Sequence, residues 1–243
     1  MRVGRIIVFF LIIIVLAIFS FYYPNITTKA VEDYQKEETY VTRVIDGDTI
    51  ETDIGTIRLL GINTPERGNY LYEEAKQYLM KIENQSIEVL RDFENKDKYD
   101  RKLRYVFFEG DILNIHLVEQ GLAIAYMTDD LKYKEKLLRA EGYAKEKEIG
   151  LWERSLLTCS TCIELKELNP EEEFFILEND CDLDCNLSGW YVQDASRNKM
   201  LLDLIMKGEE KKYQSTKHIW NDNGDSFFLR DKEDRIVIYF SYK

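Results

Sequence analysis

The hydrophobic pattern divides the chain into three regimes. From Ile6 to Tyr23 no residue carries a charge. Eighteen residues at ~1.5 Å each make a helix of ~27 Å, close to the thickness of a bilayer core. In the second regime short apolar runs alternate with polar positions, which predicts strands near 39–46, 48–53 and 56–62. A helical stripe follows from about Asn69 to Ile82, with Leu71, Ala75, Tyr78, Leu79 and Ile82 on one face. Strands are expected near 86–92 and 102–108, and helices near 112–120 and 132–148. The last of these places Leu137, Leu138, Ala140 and Ala144 inward and its lysines and glutamates outward. Five short strands with helices between and after them suit a small closed barrel of mixed α+β class. Beyond Trp152 strand-like runs recur between Asn, Asp and Gly turns, the pattern of an all-β sandwich.

The organisation read from this pattern is a transmembrane anchor or signal segment (1–23), a polar tether (24–38), a barrel domain (39–154), a linker (155–161) and a β-sandwich (162–243). Arg2 and Arg5 favour a cytoplasmic N-terminus, which would put everything after Pro24 outside the cell membrane. The apolar run is longer than a usual signal core and no Ala-x-Ala site follows it, so a retained single-pass anchor is preferred to cleavage and secretion.

Within the barrel segment, Val44-Ile-Asp46-Gly47-Asp48-Thr49-Ile50 and Thr56-Ile-Arg58-Leu-Leu-Gly61-Ile-Asn63-Thr64-Pro65-Glu66 gather acids, an arginine and an amide in about twenty residues. Asp46-Gly47 has turn chemistry, because glycine takes positive φ freely. Glu66 follows a stiff proline, where a helix could begin. Phosphodiester hydrolysis needs a hard cation, donors for charge building on phosphorus, and a base or orienter for water. Asp46 and Asp48 suit the cation, Arg58 the donor and Glu66 the base.

These pieces, with Asp97-Lys-Tyr-Asp-Arg-Lys-Leu103, Leu117-Val-Glu-Gln-Gly-Leu-Ala123 and Gly150-Leu-Trp152, make residues 39–154 resemble the staphylococcal-nuclease (thermonuclease) family. The resemblance implies an OB-fold, a five-stranded barrel with three helices. It implies one Ca2+ held by Asp48, Asn63 and the carbonyl of Thr64, with Asp46 close behind. It implies Arg58 and Arg101 on the scissile phosphate and Glu66 activating or orienting water. The implied reaction is cleavage of the 5′ P–O bond of DNA or RNA. Lys98, Tyr99 and Tyr126 match positions near substrate. Two departures stand out. Asn63 replaces the aspartate common there and removes one negative charge. Asp100 replaces the usual glycine and is expected either to keep the turn or to pair with Arg101.

Residues 162–243 resemble the lamin-tail family, an immunoglobulin-like sandwich, through Asn169-Pro170, Leu187-Ser-Gly-Trp190 and Asp222-Asn-Gly-Asp225. That family implies a binding or accessory module with an unidentified ligand or protein partner. Trp190 and Trp220 read as core.

Composition changes the picture in two ways. The net charge is −12, of which residues 39–154 carry −5 and the remainder −7. A broad basic field for nucleic acid is therefore excluded, and substrate binding should be weak, salt-sensitive and dependent on a cation and local arginines. All four cysteines fall late, as Cys159-x-x-Cys162 and Cys181-x-x-x-Cys185. They allow a four-cysteine Zn2+ site or disulfides in three connectivities, and an extracytoplasmic location favours disulfides. Both histidines, His116 and His218, sit in ordinary surface or packing patterns. The chain is expected to be a monomeric, membrane-anchored, calcium-dependent nuclease. The alternatives are a silent nucleic-acid or partner-binding barrel, and a surface protein whose working part is the sandwich.

Overall fold

The computed structural model describes residues 36–126, 131–196, 198–221 and 224–242. The apolar N-terminal segment and most of the tether lie outside them. No helix among the described residues is long and apolar enough to cross a membrane.

The first strand, β1 (Lys36–Val44), begins three residues before the expected barrel start. Val41 and Val44 both point into the core although they are three apart. A bulge explains this: Val41 pairs with Thr52 and Arg43 with Glu51, which leaves Thr42 as an extra residue. β2 (Thr49–Thr52) and β3 (Gly55–Leu59) form a hairpin that places Thr49 opposite Arg58. β4 (Ile62–Asn63) is a short bridge to the next loop. α1 (Tyr72–Leu79) follows and ends in one 3-10 turn, Met80–Ile82. β5 (Ser86–Leu90) and β6 (Lys102–Phe108) complete the barrel. β6 pairs antiparallel with β5 and parallel with β3, closing the circuit β1-β2-β3-β6-β5-β1. β7 (Asp111–Ile112), α2 (Leu113–Glu119), β8 (Ile124–Ala125) and α3 (Lys134–Glu146) cap and flank it. The closed five-stranded barrel with three helices is thus present, and Val41, Ile50, Ile57, Leu79, Ile82, Val106 and Leu117 fill one core.

Three local expectations need correction. Gly47 does not adopt positive φ. A Cβ there would lie 2.7 Å from the Ala75 Cβ and 2.8 Å from the Thr64 hydroxyl, so the glycine serves close approach between the turn, α1 and the Thr64 loop. Glu66 does not begin a helix. Gly68 and Leu71 both take left-handed φ (86° and 61°), which delays α1 to Tyr72. Leu138 is 43% exposed, while Leu137, Ala140 and Ala144 form the buried stripe of α3.

The C-terminal sheets have a separate core. β9 (Ile163–Asn169), β10 (Phe174–Asn179) and β15 (Glu210–Gln214) form one sheet, with β10 central. β12 (Tyr191–Gln193), β13 (Lys199–Leu201), β16 (Asp225–Arg230) and β17 (Ile236–Tyr242) form the other. β11 (Cys185–Asn186) and β14 (Leu204–Ile205) pair at one end. Phe175 stands edge-on to Trp220 and Phe227 at 5.7 and 5.3 Å, and Trp190 and Trp220 are buried core residues.

The four cysteines are disulfides, Cys159–Cys185 and Cys162–Cys181, rather than a zinc site. The bridges join the segment after Trp152 to the first residue of β11 (Cys185) and to the turn before it (Cys181), so the expected linker is stapled down. Its Thr158–Thr161 stretch is a 3-10 turn.

The two cores meet at Trp152, which packs on Phe228 and Tyr239 (ring centroids 5.9 and 5.1 Å) beside Ile124, Ala144 and Ile236. Lys145 of α3 covers both the Trp152 and Tyr239 rings at 4.4 and 4.3 Å and donates to the Tyr239 hydroxyl at 2.9 Å. Backbone bonds from Ile236 N to Glu153 O and from Ser155 N to Ile236 O stitch the connector to β17.

Candidate active site

The site grows out of strand register. Thr49 of β2 faces Arg58 of β3, and the parallel seam sets Arg58 beside Leu103 of β6, two residues past Arg101. Asp48 leaves the Asp46-Gly47 turn at the head of β2. Three separate sequence motifs therefore reach one end of the barrel.

Asp48 is 7% exposed and fully engaged. Its Oδ2 accepts the Thr64 N–H at 3.0 Å and the Thr64 hydroxyl at 2.9 Å, and pairs with Arg58 Nη2 at 3.1 Å. Its Oδ1 accepts the Thr49 hydroxyl at 3.0 Å. Asp46 lies behind, accepting the Asp48 N–H at 3.0 Å. Burial, then the adjacent Asp48 carboxylate, push the Asp46 carboxyl above its ordinary value.

Arg58 is held as a rigid fork. Nη1 donates to Leu59 O at 2.7 Å, and Nη2 to Ile62 O at 2.8 Å and Asn63 Oδ1 at 2.7 Å. Its Nε makes no hydrogen bond among the described residues. Burial lowers its pKa against the pull of Asp48, and Arg101 lowers it further by like-charge proximity. The two guanidiniums thus lie within electrostatic reach of each other.

Arg101 is aimed by Asp97, four residues upstream. The Asp97 carboxylate accepts the Arg101 N–H at 3.0 Å and its Nε at 2.7 Å, and pairs with Nη2 at 2.7 Å. Burial pushes the Asp97 carboxyl up, but Arg101 and the N–H groups of Arg101 and Tyr99 outweigh it and hold it below the ordinary value. Arg101 Nη1 also reaches the Thr49 hydroxyl at 3.4 Å. A continuous polar chain thus runs Arg101–Thr49–Asp48–Arg58.

Asp100 takes left-handed φ (66°), so the turn survives without glycine. Its carboxylate pairs with Lys96 at 2.6 Å and not with Arg101, which Asp97 already engages.

Arg58, Asn63, Lys98, Tyr99, Arg101 and Tyr126 line one open cleft of about 590 Å3, within the ~300–1,000 Å3 of small-ligand sites. Tyr99 is 68% exposed, with the Arg101 guanidinium 5.4 Å from its ring centre. Glu66 is exposed and close enough to Arg58 to bias its charge. Every residue expected at the site from sequence is brought to this end of the barrel. Sequence reasoning missed Thr49 as the link between Asp48 and Arg101, and Asp97 as the residue that aims Arg101. The Asp-x-x-x-Arg spacing of 97–101 was the available signal.

The donor set fits a hard divalent cation. Asp48 Oδ2 and Asn63 Oδ1 converge on Arg58 Nη2, at 3.1 and 2.7 Å, so a cation sharing these two oxygens would take over contacts that Arg58 makes in this structure. Carboxylate, amide and carbonyl oxygens are calcium and magnesium ligands.

A closed barrel whose paired arginines line one open cleft, with the Asp46–Asp48 acids packed behind them, fits a nuclease-type hydrolase domain. The comparisons agree. The family model described as "Staphylococcal nuclease homologue" matches residues 56–154. The thermonuclease of Staphylococcus intermedius is 36% identical over 139 residues, covering 52% of this chain and 82% of that protein. The thermonuclease of Staphylococcus hyicus is 33% identical, with 48% and 76% covered. An uncharacterized endonuclease of Haemophilus influenzae is 29% identical over 124 residues, with 49% and 67% covered. The chain belongs to the staphylococcal nuclease homologue family.

Proposed function

We propose that the chain is a calcium-dependent nuclease that hydrolyses phosphodiester bonds of DNA or RNA. The observation that carries this is the polar chain Arg101–Thr49–Asp48–Arg58, whose two arginines line the cleft with Thr49 and Asp48 buried behind them and Glu66 within electrostatic reach of Arg58. Asp48, Asn63 and the Thr64 carbonyl would hold the cation, with Asp46 behind them. A bound divalent cation supplies neutralisation of charge that develops on the phosphate. Arg58 and Arg101 bind non-bridging phosphate oxygens with planar forks. Glu66 accepts a hydrogen bond from water and orients it toward phosphorus. Tyr99 and Tyr126 offer faces for bases, and Lys98 a charge for a flanking phosphate. The family's thermonuclease relatives support the calcium reading, as does the donor chemistry.

We further read residues 6–23 as a membrane anchor that leaves the barrel extracytoplasmic, where calcium is plentiful. The C-terminal sheets read as an accessory module of lamin-tail type, and the protein as a monomer.

The test is cleavage of single-stranded and duplex DNA and RNA by the purified chain, with calcium and with chelator. Calcium-dependent cleavage is expected, weakening steeply as salt rises. Full activity in chelator would overturn the reading.

One observation favours a second reading, a binding module without turnover: Asn63 Oδ1 is engaged by Arg58, and the aspartate charge is missing. Substrate binding without cleavage at saturating calcium would select it. The same position gives a prediction. Asn63→Asp is expected to raise calcium affinity roughly tenfold, about 1.4 kcal/mol, in isothermal titration calorimetry. Equal affinities would refute a cation site that includes residue 63.

A further inference from the structure

Residues 64–71 form the loop that carries Glu66 from β4 to α1. Its first residue is locked to the barrel, since the Thr64 N–H and hydroxyl both donate to Asp48. Its far end is held by the C-terminal sheets and by Glu153 of the connector that follows Trp152. The Tyr70 N–H donates to Asp234 Oδ2 at 3.1 Å, and the Tyr70 hydroxyl to Glu153 Oε2 at 3.3 Å. Lys199 Nζ donates to Asn69 Oδ1 at 3.3 Å. The Asn69 N–H in turn donates to the carbonyl of Glu66 itself at 3.0 Å. One residue therefore separates the Lys199 contact from the Glu66 backbone.

Between these anchors the loop takes two left-handed residues. Gly68 takes φ 86° with open space around it. Leu71 takes left-handed φ at the helix start with no side-chain cap, a conformation that costs about 1–2 kcal/mol. Such strain persists only where the surroundings over-determine it.

The anchors are themselves fixed. Asp234 sits at the tip of the β16–β17 hairpin with φ 64°. That turn is tied by Asp231, which accepts the N–H groups of Glu233 and Arg235 at 2.7 and 3.0 Å. The second oxygen of Asp234 accepts the Tyr191 hydroxyl, and Glu153 is paired with Arg235. A small open pocket of about 40 Å3 lies between Pro65 and Tyr70 on one side and Tyr191, Gln193 and Asp234 on the other.

We propose that the C-terminal sheets brace the Glu66 loop, with Asp234 and Glu153 as positioning residues for Glu66. The inference rests on the reading of Glu66 as the group that orients water. It makes the reaction geometry depend on contacts made outside the barrel.

Asp234→Gly in the full chain tests it, because glycine keeps the left-handed turn while removing both acceptor oxygens. Tyr70→Phe is the second variant and removes only the bond to Glu153. Retention of fold is checked by melting. In Asp234→Gly, amides of residues 66–72 are expected to exchange at least about tenfold faster while the barrel strands keep their protection. With calcium and a single-stranded oligonucleotide, kcat should fall about tenfold and KM stay within about twofold, because the arginines are untouched. Placed in a Glu66→Gln background, Asp234→Gly should cause no further loss. Unchanged exchange in 66–72, or an equal loss with and without Glu66, would overturn the proposal. If the native protein cleaves nothing, the functional reading falls, and the exchange result alone decides whether the brace exists.

Discussion

Arg58→Ala is expected to lower kcat by about 10²–10³-fold, ~3–4 kcal/mol of transition-state stabilisation. The side chain cannot be replaced by charge alone. Its fork is pre-set by Leu59 O, Ile62 O and Asn63 Oδ1, and lysine has no matching plane. Arg58→Lys should therefore recover little. The substitution also acts on the ground state. Asp48 is buried, and removing its guanidinium leaves a carboxylate supported only by Thr49 and Thr64. Some loss of stability is expected with the loss of rate. Single-turnover cleavage well below the variant's melting temperature separates the two effects. Near-native kcat in folded Arg58→Ala would refute the assignment of phosphate binding to this residue.

Gly121→Ala is expected to be the most damaging single methyl group in the barrel segment. A Cβ at Gly121 would lie 2.1 Å from the carbonyl oxygen and 2.7 Å from the carbonyl carbon of Ile149. The obstruction is backbone, so no rotamer change relieves it, and the native φ of 62° disfavours any side chain. The crossing is reciprocal: a Cβ at Gly150 would lie 2.5 Å from the Gly121 oxygen, which accepts the Leu151 N–H at 2.8 Å. Separating the two segments would also pull Leu151 and Trp152 from the junction with Phe228 and Tyr239. The expected loss exceeds about 4 kcal/mol, read from the denaturant midpoint. Gly110→Ala is the control. It has positive φ but nothing within 4 Å, and should cost only ~1–2 kcal/mol. Equal losses for the two would show that strain, and not collision, dominates at Gly121.

The barrel was legible because its signals are local. β-branched runs between turn residues marked β1, β2, β3, β5 and β6 within a few residues, and helical spacing marked α1, α2 and α3. Motif spacing placed the site residues, since adjacent strands carry Thr49, Arg58 and Leu103 in one register. The misreadings were tertiary. Gly47 looks like a turn glycine, and only the packing of Ala75 and Thr64 against it shows that it is a contact glycine. Asp100 was expected to keep the turn or to pair with Arg101, and its pairing with Lys96 instead depends on Asp97 having already taken Arg101. Leu138 fits a helical stripe, yet α3 turns it outward because Leu137 and Ala140 face the barrel core and Ala144 the Trp152 junction. The junction around Tyr70, Trp152 and Asp234 joins residues up to 164 positions apart, and no periodicity encodes such a contact.

The parallel seam between β3 and β6 has a consequence during translation. Arg58 and Arg101 become neighbours only when residues 57–59 lie alongside 102–104. A polypeptide still emerging from the ribosome, with its sixth strand inside the exit tunnel, carries the acids and one guanidinium but no second. The paired guanidiniums therefore come together only after that strand has been released.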